Sequence, residues 1–443
     1  MSSESQEKQV YVATFGCQMN EYDSERMVRL LSDRGYRTCP DPAQADLIIL
    51  NTCSIREKAE QKVYSLLGRL RPFKEARPDL VIAVAGCVAQ QEGEKLLEQA
   101  PYVSLVLGTH AVGRLPELLD QAARTGRRVC QTAFDYNLAP SPTGAGEPGR
   151  IKAFLTIMQG CDNFCSYCVV PYVRGREVSR PLESVLDEAR DLLGRGVKEI
   201  TLLGQNVNSY GRGLEPGVDF PLLLEKISEL DGLARLRFTT SHPKDLSPRL
   251  IAIMGRGGVV CEHLHLPVQS GADKVLAAMR RRYTREDYLA LVTALREARP
   301  DISLTTDVIV GFPGETEDDF RETMDLLARV RFDGMFSFKY SDRPMTKASG
   351  MNDKVEEEVK GRRLSELQAF QKSITLERNL GLIGSVAEVL VEGHGGRYPD
   401  QLTGRTRGAK IVNFNGPDSL IGGLARPRIV KAWANSLLGV LDD

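Results

Sequence analysis

The stretch Gly160-Cys-Asp-Asn-Phe-Cys-Ser-Tyr-Cys-Val169 decides how the rest of the chain is interpreted. It places three cysteines in one short loop, directly after the apolar run Ala153-Phe-Leu-Thr-Ile-Met158. Three thiolates this close can each bind one iron of a cubane cluster, which leaves the fourth iron open to a small chelating molecule. The sequence therefore predicts a [4Fe-4S] cluster at the end of a strand, with Cys161, Cys165 and Cys168 as its ligands.

Zinc and disulfide bonds are the alternatives for these cysteines. Structural zinc closes a shell of four ligands, and the nearest histidines, His110 and His242, are distant in sequence. Disulfides belong to oxidising compartments, whereas nine cysteines with no recognisable secretory signal fit a reducing one. The spacing favours the cluster over both.

Length and composition narrow the class of protein. A chain of 443 residues is expected to form two or three domains, and a hydrophobic content of 42% suits a globular protein. No apolar run approaches the roughly 20 residues that span a bilayer, so we expect no membrane association and a cytoplasmic location. The formal net charge of −1 gives no global positive field, so an RNA partner would have to bind local basic patches.

The first part of the chain places three more cysteines at the ends of predicted strands. Cys17, Cys53 and Cys87 each follow within three residues of an apolar run typical of a parallel sheet; the runs are Val10–Phe15, Leu47–Leu50 and Leu80–Ala85. The carboxyl ends of such strands form one edge, where open α/β sheets bind ligands. A lone cysteine is most often a small buried hydrophobe, but three on one edge predict a second set of ligands. Cys39, Cys130 and Cys261 lack this setting and are expected to be structural.

The middle of the chain has the rhythm of repeated βα units. A Pro- and Gly-rich break at Asn137–Gly149 precedes it and indicates a linker. Fewer than eight strand–helix pairs are visible, so we expect an incomplete barrel with its chemistry at the carboxyl ends of the strands.

The end of the chain changes to short β-like runs broken by glycine, which predict a small antiparallel barrel. Four basic residues lie in its first half and form a candidate RNA-binding patch: Arg397, Arg405, Arg407 and Lys410. An ordinary solvated face is the alternative, because four charges are few. Phe414 and Trp433 are candidates for base stacking, although such aromatics are more often core.

Taken together, these patterns predict an α/β protein built from a parallel-sheet domain, a partial (βα) barrel and a small antiparallel β-barrel. The expected segments are 8–130 for the first domain, 131–149 for the linker, 150–379 for the barrel and 380–443 for the carboxyl-terminal domain.

Six stretches of the chain resemble the radical S-adenosylmethionine (SAM) methylthiotransferases, and most closely those that act on isopentenyl-adenosine in tRNA. They are Lys152–Cys161, Tyr167–Arg180, Leu202–Tyr210, Phe238–Pro243, His265–Gly271 and Gly311–Thr316. The first domain, with Asn51–Arg56 and Ala85–Gln90, resembles that family's amino-terminal domain, and the last resembles the RNA-binding TRAM domain. The resemblance covers nearly the whole chain.

The resemblance implies a reaction with two clusters and SAM in two roles. SAM bound to the open iron would be cleaved by one electron to a radical that removes hydrogen from a C–H bond. Cys17, Cys53 and Cys87 would hold a second [4Fe-4S] cluster whose open iron carries exchangeable sulfur, which another SAM methylates. The expected product is a 2-methylthio group at carbon 2 of the adenine beside the anticodon, a base that must be splayed out of its stack.

The same resemblance implies the partners: tRNA carrying isopentenyl-adenosine, an electron donor such as flavodoxin or ferredoxin, and a supply of sulfur. Other activities of this fold remain alternatives, namely methylthiolation of threonylcarbamoyl-adenosine in tRNA, methylthiolation of a ribosomal-protein aspartate, and radical chemistry without sulfur insertion. A non-catalytic RNA-binding iron–sulfur protein is the alternative from another class.

Three turns at strand ends are candidate SAM contacts. They contain Gln205 and Asn206, then Gln269 and Ser270, and finally Gly311, Gly314 and Glu315. In the last turn the alternative is a helix start, since Thr316 and Asp319 resemble an N-terminal cap. No side chain is assigned as general acid or base. His263 and His265 share one strand face but lack a third ligand, so they are not assigned to a metal.

One residue departs from the family pattern. Met345, in Ser341-Asp-Arg-Pro-Met-Thr-Lys-Ala348, occupies a position where the family usually has glycine. If the turn needs a positive φ there, Met345 is strained by about 1 kcal/mol or more.

Overall fold

A computed structural model describes residues 7–54, 57–136, 149–396 and 400–442. Arg397 and most of the predicted linker, residues 137–148, lie outside the described residues. Three structural units follow one another along the chain: a parallel sheet, a partial barrel of parallel strands and a small β-barrel. The predicted order of architectures is confirmed.

The amino-terminal unit is a six-stranded parallel sheet with helices on both faces. Its strands run in the order β2-β1-β3-β4-β5-β6. The strands are β1 Lys8–Thr14, β2 Tyr36–Thr38, β3 Leu47–Thr52, β4 Val81–Gly86, β5 Leu105–Leu107 and β6 Val129–Gln131. The helices are α1 Gln18–Ser32, α2 Glu57–Ala76, α3 Cys87–Glu92, α4 Glu94–Gln99 and α5 Leu115–Thr125.

Alternation along the central strands explains why both faces of this sheet are covered. In β3, Ile48 and Leu50 enter the core beneath α2 and α4, whereas Leu47 and Ile49 enter the core beneath α1 and α5. All six residues of β3 are buried, which is the expected pattern for an interior parallel strand. The strand order reverses between β1 and β3, and ligands bind at such a switch point in open α/β sheets.

The central unit contains six parallel strands in two sets, β11-β10-β7 and β12-β13-β14, with a short antiparallel pair, β8 and β9. A parallel bridge between Leu236 and Val260 connects the two sets, giving the predicted incomplete barrel. The strands are β7 Lys152–Thr156, β8 Met158–Gln159, β9 Val178–Ser179, β10 Glu199–Leu203, β11 Arg235–Phe238, β12 His263–His265, β13 Ser303–Val310 and β14 Gly334–Lys339. The helices are α6 Val170–Val173, α7 Leu182–Gly194, α8 Phe220–Ser228, α9 Pro248–Arg256, α10 Asp273–Ala278, α11 Arg285–Ala298, α12 Glu317–Val330 and α13 Glu357–Leu380.

The carboxyl-terminal unit is a six-stranded β structure in the order β18-β15-β16-β17-β20-β19. Its strands are β15 Val389–His394, β16 Leu402–Thr406, β17 Ile411–Phe414, β18 Leu424–Ala425, β19 Arg428–Ala432 and β20 Leu437–Val440. The pairings are antiparallel except that of β17 with β20, which is parallel. A bridge between Val386 and Arg428 brings the start of this unit to β19, so the sheet curls into a barrel.

The two flanking units contact opposite ends of the central strands. The carboxyl-terminal barrel covers their amino ends, where the fully buried Arg235 donates from Nη1 to the Arg405 carbonyl at 2.7 Å. The amino-terminal unit lies at their carboxyl ends, where Met19 and Tyr22 of α1 pack against Leu203. In the part of the chain that is described, no helix combines the length and the apolar character needed to cross a membrane.

Candidate iron–sulfur site

The central cysteine loop begins at a backbone position that only glycine tolerates. Gly160 has φ +82°, and a Cβ there would lie 2.0 Å from the carbonyl oxygen of Arg176. The Gly160 N–H donates to Oε1 of Gln205 at 2.5 Å, and the Cys161 N–H donates to the Gly175 carbonyl at 3.2 Å. The start of the loop is thereby fixed between the end of β10 and the segment after α6.

The far side of the same loop is tied to two other parts of the barrel. Ser166 donates from Oγ to the Ala278 carbonyl at 2.8 Å, and its own carbonyl accepts from the Ala348 N–H at 2.8 Å. Phe164, inside the loop, takes φ +47°. Strained backbone of this kind persists where the surroundings fix it, and it clusters at functional sites.

The loop brings its three thiols close enough to affect one another's pKa. They are named here the central triad: Cys161, Cys165 and Cys168. Burial, followed by the neighbouring thiols, raises the pKa of Cys168 above its usual value, and burial raises that of Cys161 to about 11. The fully buried guanidinium of Arg281 donates from Nη1 to Sγ of Cys165 at 3.5 Å. A positive charge beside thiols stabilises their ionised, metal-binding form.

The amino-terminal sheet also brings its three strand-end cysteines together, named here the auxiliary triad: Cys17, Cys53 and Cys87. Cys17 precedes α1, Cys53 follows β3 and Cys87 is the first residue of α3. A hydrogen bond from Cys53, aided by the Arg174 charge against the effect of burial, lowers the pKa of Cys17 to about 6. A Cβ at Gly16 would lie 2.6 Å from Sγ of Cys53, so glycine lets the strands approach this closely.

Arg174 reaches the auxiliary triad from the central unit. Its guanidinium donates from Nη2 to Oδ1 of Asn20 at 2.8 Å and to Oδ2 of Asp23 at 2.9 Å. Burial opposes its charge, but Asp23, Cys87 and Cys17 together raise the pKa of Arg174 above its usual value. Arg174 is 2% exposed, and it is therefore a fixed cation among the auxiliary thiols.

The helix α6 lies between the two triads. Cys168 stands just before it and Arg174 just after it, while Val169 and Val173 pack against Cys87. Thr109 of the amino-terminal unit donates from Oγ1 to the Val173 carbonyl at 2.7 Å. One four-residue helix thus forms part of the surroundings of both sets of thiols.

The donor sets fit iron–sulfur clusters. In the described ranges, no three His, Cys, Asp or Glu side chains are placed to share a single metal ion. A cubane takes each thiolate on a separate iron. Both triads supply three thiols, a buried cation and a glycine-dependent close approach of the backbone.

The first pair of candidate SAM contacts follows β10, next to the central triad. Gln205 uses its side-chain oxygen to hold Gly160, so it positions the cysteine loop. Asn206 is buried and donates from Nδ2 to Oδ2 of Asp245 at 2.7 Å. Its Oδ1 is buried without a hydrogen-bond partner among the described residues.

The second pair follows β12. Gln269 takes φ +70° while its backbone pairs with β13, through its N–H to the Asp307 carbonyl at 2.8 Å. Ser270 is buried, and its hydroxyl lies 3.3 Å from that of Thr323 in α12. Gln269 is strained at the open edge of the barrel, whereas Ser270 joins the edge to a helix.

The third turn is held by a buried ion pair. Glu315 accepts from the Gly311 N–H at 2.9 Å and from Nη1 of Arg363 at 2.7 Å. The Gly314 N–H donates to the Asp353 carbonyl at 2.7 Å. The alternative reading of Thr316 is also confirmed, because Thr316 and Asp319 form a reciprocal cap on α12.

Sequence reasoning missed a group of polar side chains that follow β10 and β11. Asn208, Ser241 and His242 each have a buried polar atom with no partner in the described parts of the chain. The Lys244 N–H donates to Nδ1 of His242 at 3.3 Å, so the free Nε2 carries the hydrogen. Buried polar groups normally have partners, and these atoms are therefore available to a bound molecule. The signal was present, because all three stand in the motifs that carry the family resemblance.

The structure distributes the predicted basic patch between a surface and an interface. Arg407 donates from Nε to Oε2 of Glu262 at 2.8 Å, and Lys410 lies 2.9 Å from Oδ1 of Asp333. Both partners belong to the central unit. Arg405 is half-exposed and lies 3.3 Å from Oε1 of Glu392.

The remaining aromatic and histidine candidates differ in burial and in their hydrogen-bond partners. Phe414 is fully buried in the core of the carboxyl-terminal barrel, whereas Trp433 is 51% exposed. His263 and His265 each lie 3.1 Å from the hydroxyl of Thr305. The two histidines are thus tied to a threonine on the neighbouring strand.

Three family models match successive parts of this chain: the Radical SAM superfamily at residues 155–327, the TRAM domain at 382–441 and the uncharacterized protein family UPF0004 at 9–108. A solved radical S-adenosylmethionine methyltransferase from Kitasatospora setae, with cobalamin and a [4Fe-4S] cluster bound, shares the fold. It has a TM-score of 0.59 and 16% identity and covers 77% of each chain. The fold and the cysteine loop define the class, a radical SAM enzyme, which implies SAM and one [4Fe-4S] cluster.

Close relatives are each named tRNA-2-methylthio-N(6)-dimethylallyladenosine synthase. The Geobacter sulfurreducens protein is 52% identical over 435 residues, covering 98% of this chain and 97% of its own length. That of Syntrophobacter fumaroxidans is 52% identical, covering 98% and 95%. That of Moorella thermoacetica is 49% identical, covering 98% of each. The chain belongs to this family of methylthiotransferases, and the resemblance found in the sequence is confirmed.

Proposed function

We propose that this protein is a radical SAM methylthiotransferase that places a methylthio group on carbon 2 of N6-isopentenyladenosine (dimethylallyladenosine) next to the anticodon of tRNA. The observation that carries the proposal is the convergence of two cysteine triads on either side of α6. Sulfur insertion gives the second triad a direct role, because the reaction needs a sulfur source in addition to the radical. The names of the relatives supply the substrate.

Cys161, Cys165 and Cys168 would hold the [4Fe-4S] cluster, which together with SAM would supply the radical chemistry that removes hydrogen from carbon 2. Water is largely kept from the base of this site, since Cys161, Cys165 and Arg281 are buried and Cys168 is half-buried. Gln269, Asn206 and the free Nε2–H of His242 face the same edge and supply hydrogen-bonding groups for SAM or the target base.

Cys17, Cys53 and Cys87 would hold a second [4Fe-4S] cluster, which would supply the sulfur to be inserted. Support comes from the packing of Cys87 against the α6 segment that follows the central triad. The reaction requires a sulfur close to the radical, because the C–H bond of carbon 2 is replaced by a C–S bond. SAM has a second role as the methyl donor to this sulfur. The two triads belong to different units, so the interface around α6 would fix the distance between them.

The tRNA reaches this site with its target base splayed out of the anticodon stack. The carboxyl-terminal barrel lies at the opposite ends of the central strands, so an RNA that touches both must extend along the side of the central unit. Arg405 and Trp433 are the exposed candidates for that contact. Arg397, which completes the predicted patch, lies outside the described residues.

The reaction needs two further inputs: low-potential electrons, from a donor such as flavodoxin or ferredoxin, and a supply of sulfur to renew the auxiliary cluster. The cytoplasm is the expected location of the protein, because its tRNA substrate is there.

Anaerobically reconstituted protein, incubated with SAM, a reductant and an anticodon stem-loop carrying isopentenyl-adenosine, tests this function. Mass spectrometry of the digested RNA is expected to show an adenosine heavier by one sulfur and one CH₂ group. Stem-loops carrying threonylcarbamoyl-adenosine and unmodified adenosine are the matched controls. Product on the threonylcarbamoyl substrate alone would move the protein to the alternative specificity, and SAM cleavage without any sulfur in RNA would overturn sulfur insertion.

A further inference from the structure

A polar cavity lies where the carboxyl-terminal barrel meets the amino ends of the central strands. Its volume is about 180 Å³, and its walls include Ser303 at the start of β13, Lys410 between β16 and β17, and Ser436 before β20. A water molecule in the liquid occupies about 30 Å³, so the cavity has room for a group several times larger. The two triads lie at the opposite ends of the central strands, and the cavity is therefore separate from the reacting centres.

The hydroxyl of Ser303 lines this cavity without a partner. Ser303 is 4% exposed, and its Oγ is buried with no hydrogen-bond partner among the residues that the structure describes. Buried hydroxyls normally have partners. This oxygen is therefore available to a molecule in the cavity.

Lys410 adds a positive charge that its protein partners use only in part. Its ammonium group donates to Oδ1 of Asn379 at 2.8 Å and lies 2.9 Å from Oδ1 of Asp333. An ammonium group has three donors, so one N–H of Lys410 remains for a ligand. Arg378 donates from Nε to the same oxygen of Asp333 at 2.8 Å. Two cations thus face one carboxylate, and this wall of the cavity keeps a net positive charge.

Further donors line the outer part of the cavity. Arg405 is half-exposed and pairs only loosely with Glu392, at 3.3 Å. Asn435 and Ser436 add an amide and a hydroxyl. The turn that carries them is closed by the Trp433 N–H, which donates to the Ser436 carbonyl at 2.9 Å, and Trp433 itself is 51% exposed. An exposed indole thus adjoins the residues that line the cavity.

We propose that this cavity binds a phosphate group of the RNA backbone. Phosphate oxygens accept hydrogen bonds from cations, hydroxyls and amides, which are the groups on these walls, and the carboxylate among them, Asp333, is already neutralised. Free phosphate is a second source of the same chemistry, but an indole beside the site can stack on a base and so favours RNA. The inference rests on the proposed tRNA substrate and deepens it. The cavity would anchor the RNA at the amino ends of the strands while the target base enters at their carboxyl ends.

The test compares full-length reconstituted protein with Ser303→Ala, Ser303→Asp and Arg405→Gln, and uses Arg428→Gln as the matched control. Arg428 is an exposed arginine of the same barrel that pairs with Asp442 and does not line the cavity. Melting temperatures with and without inorganic phosphate measure binding of the anion itself. Phosphate also stabilises proteins non-specifically, so the relevant quantity is the difference between the unaltered protein and the Ser303 variants.

Fluorescence anisotropy of an anticodon stem-loop carrying isopentenyl-adenosine, between about 50 and 200 mM salt, measures the RNA contact. Ser303→Ala is expected to weaken RNA binding about fivefold, and Ser303→Asp more than about tenfold because it adds a negative charge. Arg405→Gln should reduce the slope of log affinity against log salt by about 0.7–0.9. Arg428→Gln should match the unaltered protein.

The remaining outcomes each decide a point. If the Ser303 variants lose the stabilisation by phosphate but keep their RNA affinity, the site binds free phosphate instead. The proposal is overturned if Ser303→Ala and Ser303→Asp match the unaltered protein in both measurements, or if Arg405→Gln and Arg428→Gln weaken RNA binding alike. Should Ser303→Asp fail to fold, Ser303→Ala and Arg405→Gln decide the question. RNA binding as expected without methylthiolation of the stem-loop would overturn the proposed function and leave this site in place.

Discussion

The two cysteine triads are assembled from opposite kinds of sequence. The central triad comes from one loop of eight residues, Cys161–Cys168, whereas the auxiliary triad comes from the ends of three strand segments spread over Cys17–Cys87. Each triad has a buried arginine, Arg281 or Arg174. The central triad depends on a single strained loop. The auxiliary triad depends on the register of a sheet and on contacts with the central unit.

The largest effect is expected from removing one thiol of each triad. Cys165→Ala should abolish cleavage of SAM, because the cluster that binds it loses a ligand. Cys87→Ala should retain cleavage to 5′-deoxyadenosine but yield no methylthiolated RNA. Chromatography of the nucleosides, with RNA mass spectrometry from the same reaction, separates the two outcomes. Methylthiolation by Cys87→Ala would show that the triads do not divide the work in this way.

The glycines that precede the triads test how each is built. Gly160→Ala places a Cβ against a backbone carbonyl and is expected to cost about 3 kcal/mol or more of unfolding free energy. Gly16→Ala places a Cβ against the side chain of Cys53. It is expected to lower the free energy of unfolding by about 2 kcal/mol and to cause loss of the auxiliary iron. Gly196→Ala, also at positive φ but with no atom within 4 Å, isolates the backbone strain.

Urea unfolding of the iron-free proteins, together with iron content after reconstitution, measures this series. If Gly16→Ala and Gly160→Ala both behaved like Gly196→Ala, the close backbone approaches would not be needed to form the triads.

The two buried arginines should affect the reduction potentials of their clusters unequally. Arg281 contacts Cys165, Tyr283 and the Pro267 carbonyl, and no carboxylate pairs with it in the described residues. Arg174 is paired with Asp23. Arg281→Gln is therefore expected to lower the potential of the central cluster by on the order of 50 mV, and Arg174→Gln to lower that of the auxiliary cluster by less. Redox titration followed by electron paramagnetic resonance tests this, and equal shifts would contradict the role of Asp23.

Low pH should reduce the folding stability of the protein through the protonation of a buried histidine, His242. Burial, and then the charges of Arg281, Lys244 and Arg282, lower the pKa of His242 far below its usual value. The folded state keeps His242 neutral while the unfolded chain takes up the proton below about pH 6.5, so stability falls as the pH drops, by roughly 1 kcal/mol per pH unit.

His242→Asn keeps an acceptor for the Lys244 N–H and should remove this component of the pH dependence. Melting temperatures between pH 7 and 5, compared with a control His394→Gln at the surface of the carboxyl-terminal barrel, measure the change. An unaltered pH slope in His242→Asn would mean that other groups cause the acid sensitivity.

The smallest effect is expected at Met345. The structure gives this residue φ +68° and leaves its side chain half-exposed, as expected for a position that favours glycine. Met345→Gly relieves about 1–2 kcal/mol of strain against an entropic cost of about 0.4–1 kcal/mol in the unfolded chain. A net gain of about 0.5–1 kcal/mol in urea unfolding is expected, and a loss would show that the side chain makes a stabilising contact.

The fold and both triads could be predicted because each leaves a local signal. Apolar runs fix the strands of a parallel sheet, and parallel strands align their carboxyl ends, so cysteines as distant as Cys17 and Cys87 fall on one edge. The reciprocal cap at Thr316 was likewise readable from the chain, because capping residues lie three positions apart.

The partners of charged side chains could not be predicted in this way. Arg174 and Arg281 are distant in sequence from most of the thiols they approach, and no periodicity connects them. The sequence predicts that Arg407 and Lys410 belong to a basic patch. In the structure they form ion pairs with Glu262 and Asp333 of the central unit. A sequence gives the number of charges in a segment, and only the packing of units shows which are neutralised.

Iron and sulfide per chain, measured on the reconstituted protein and on the variant with Cys161, Cys165 and Cys168 all changed to alanine, test the central claim most directly. Two separate [4Fe-4S] sites predict about eight irons in the unaltered protein and about four in the variant. About four irons in the unaltered protein, falling to none in the variant, would leave one cluster and contradict a division of the reaction between two triads.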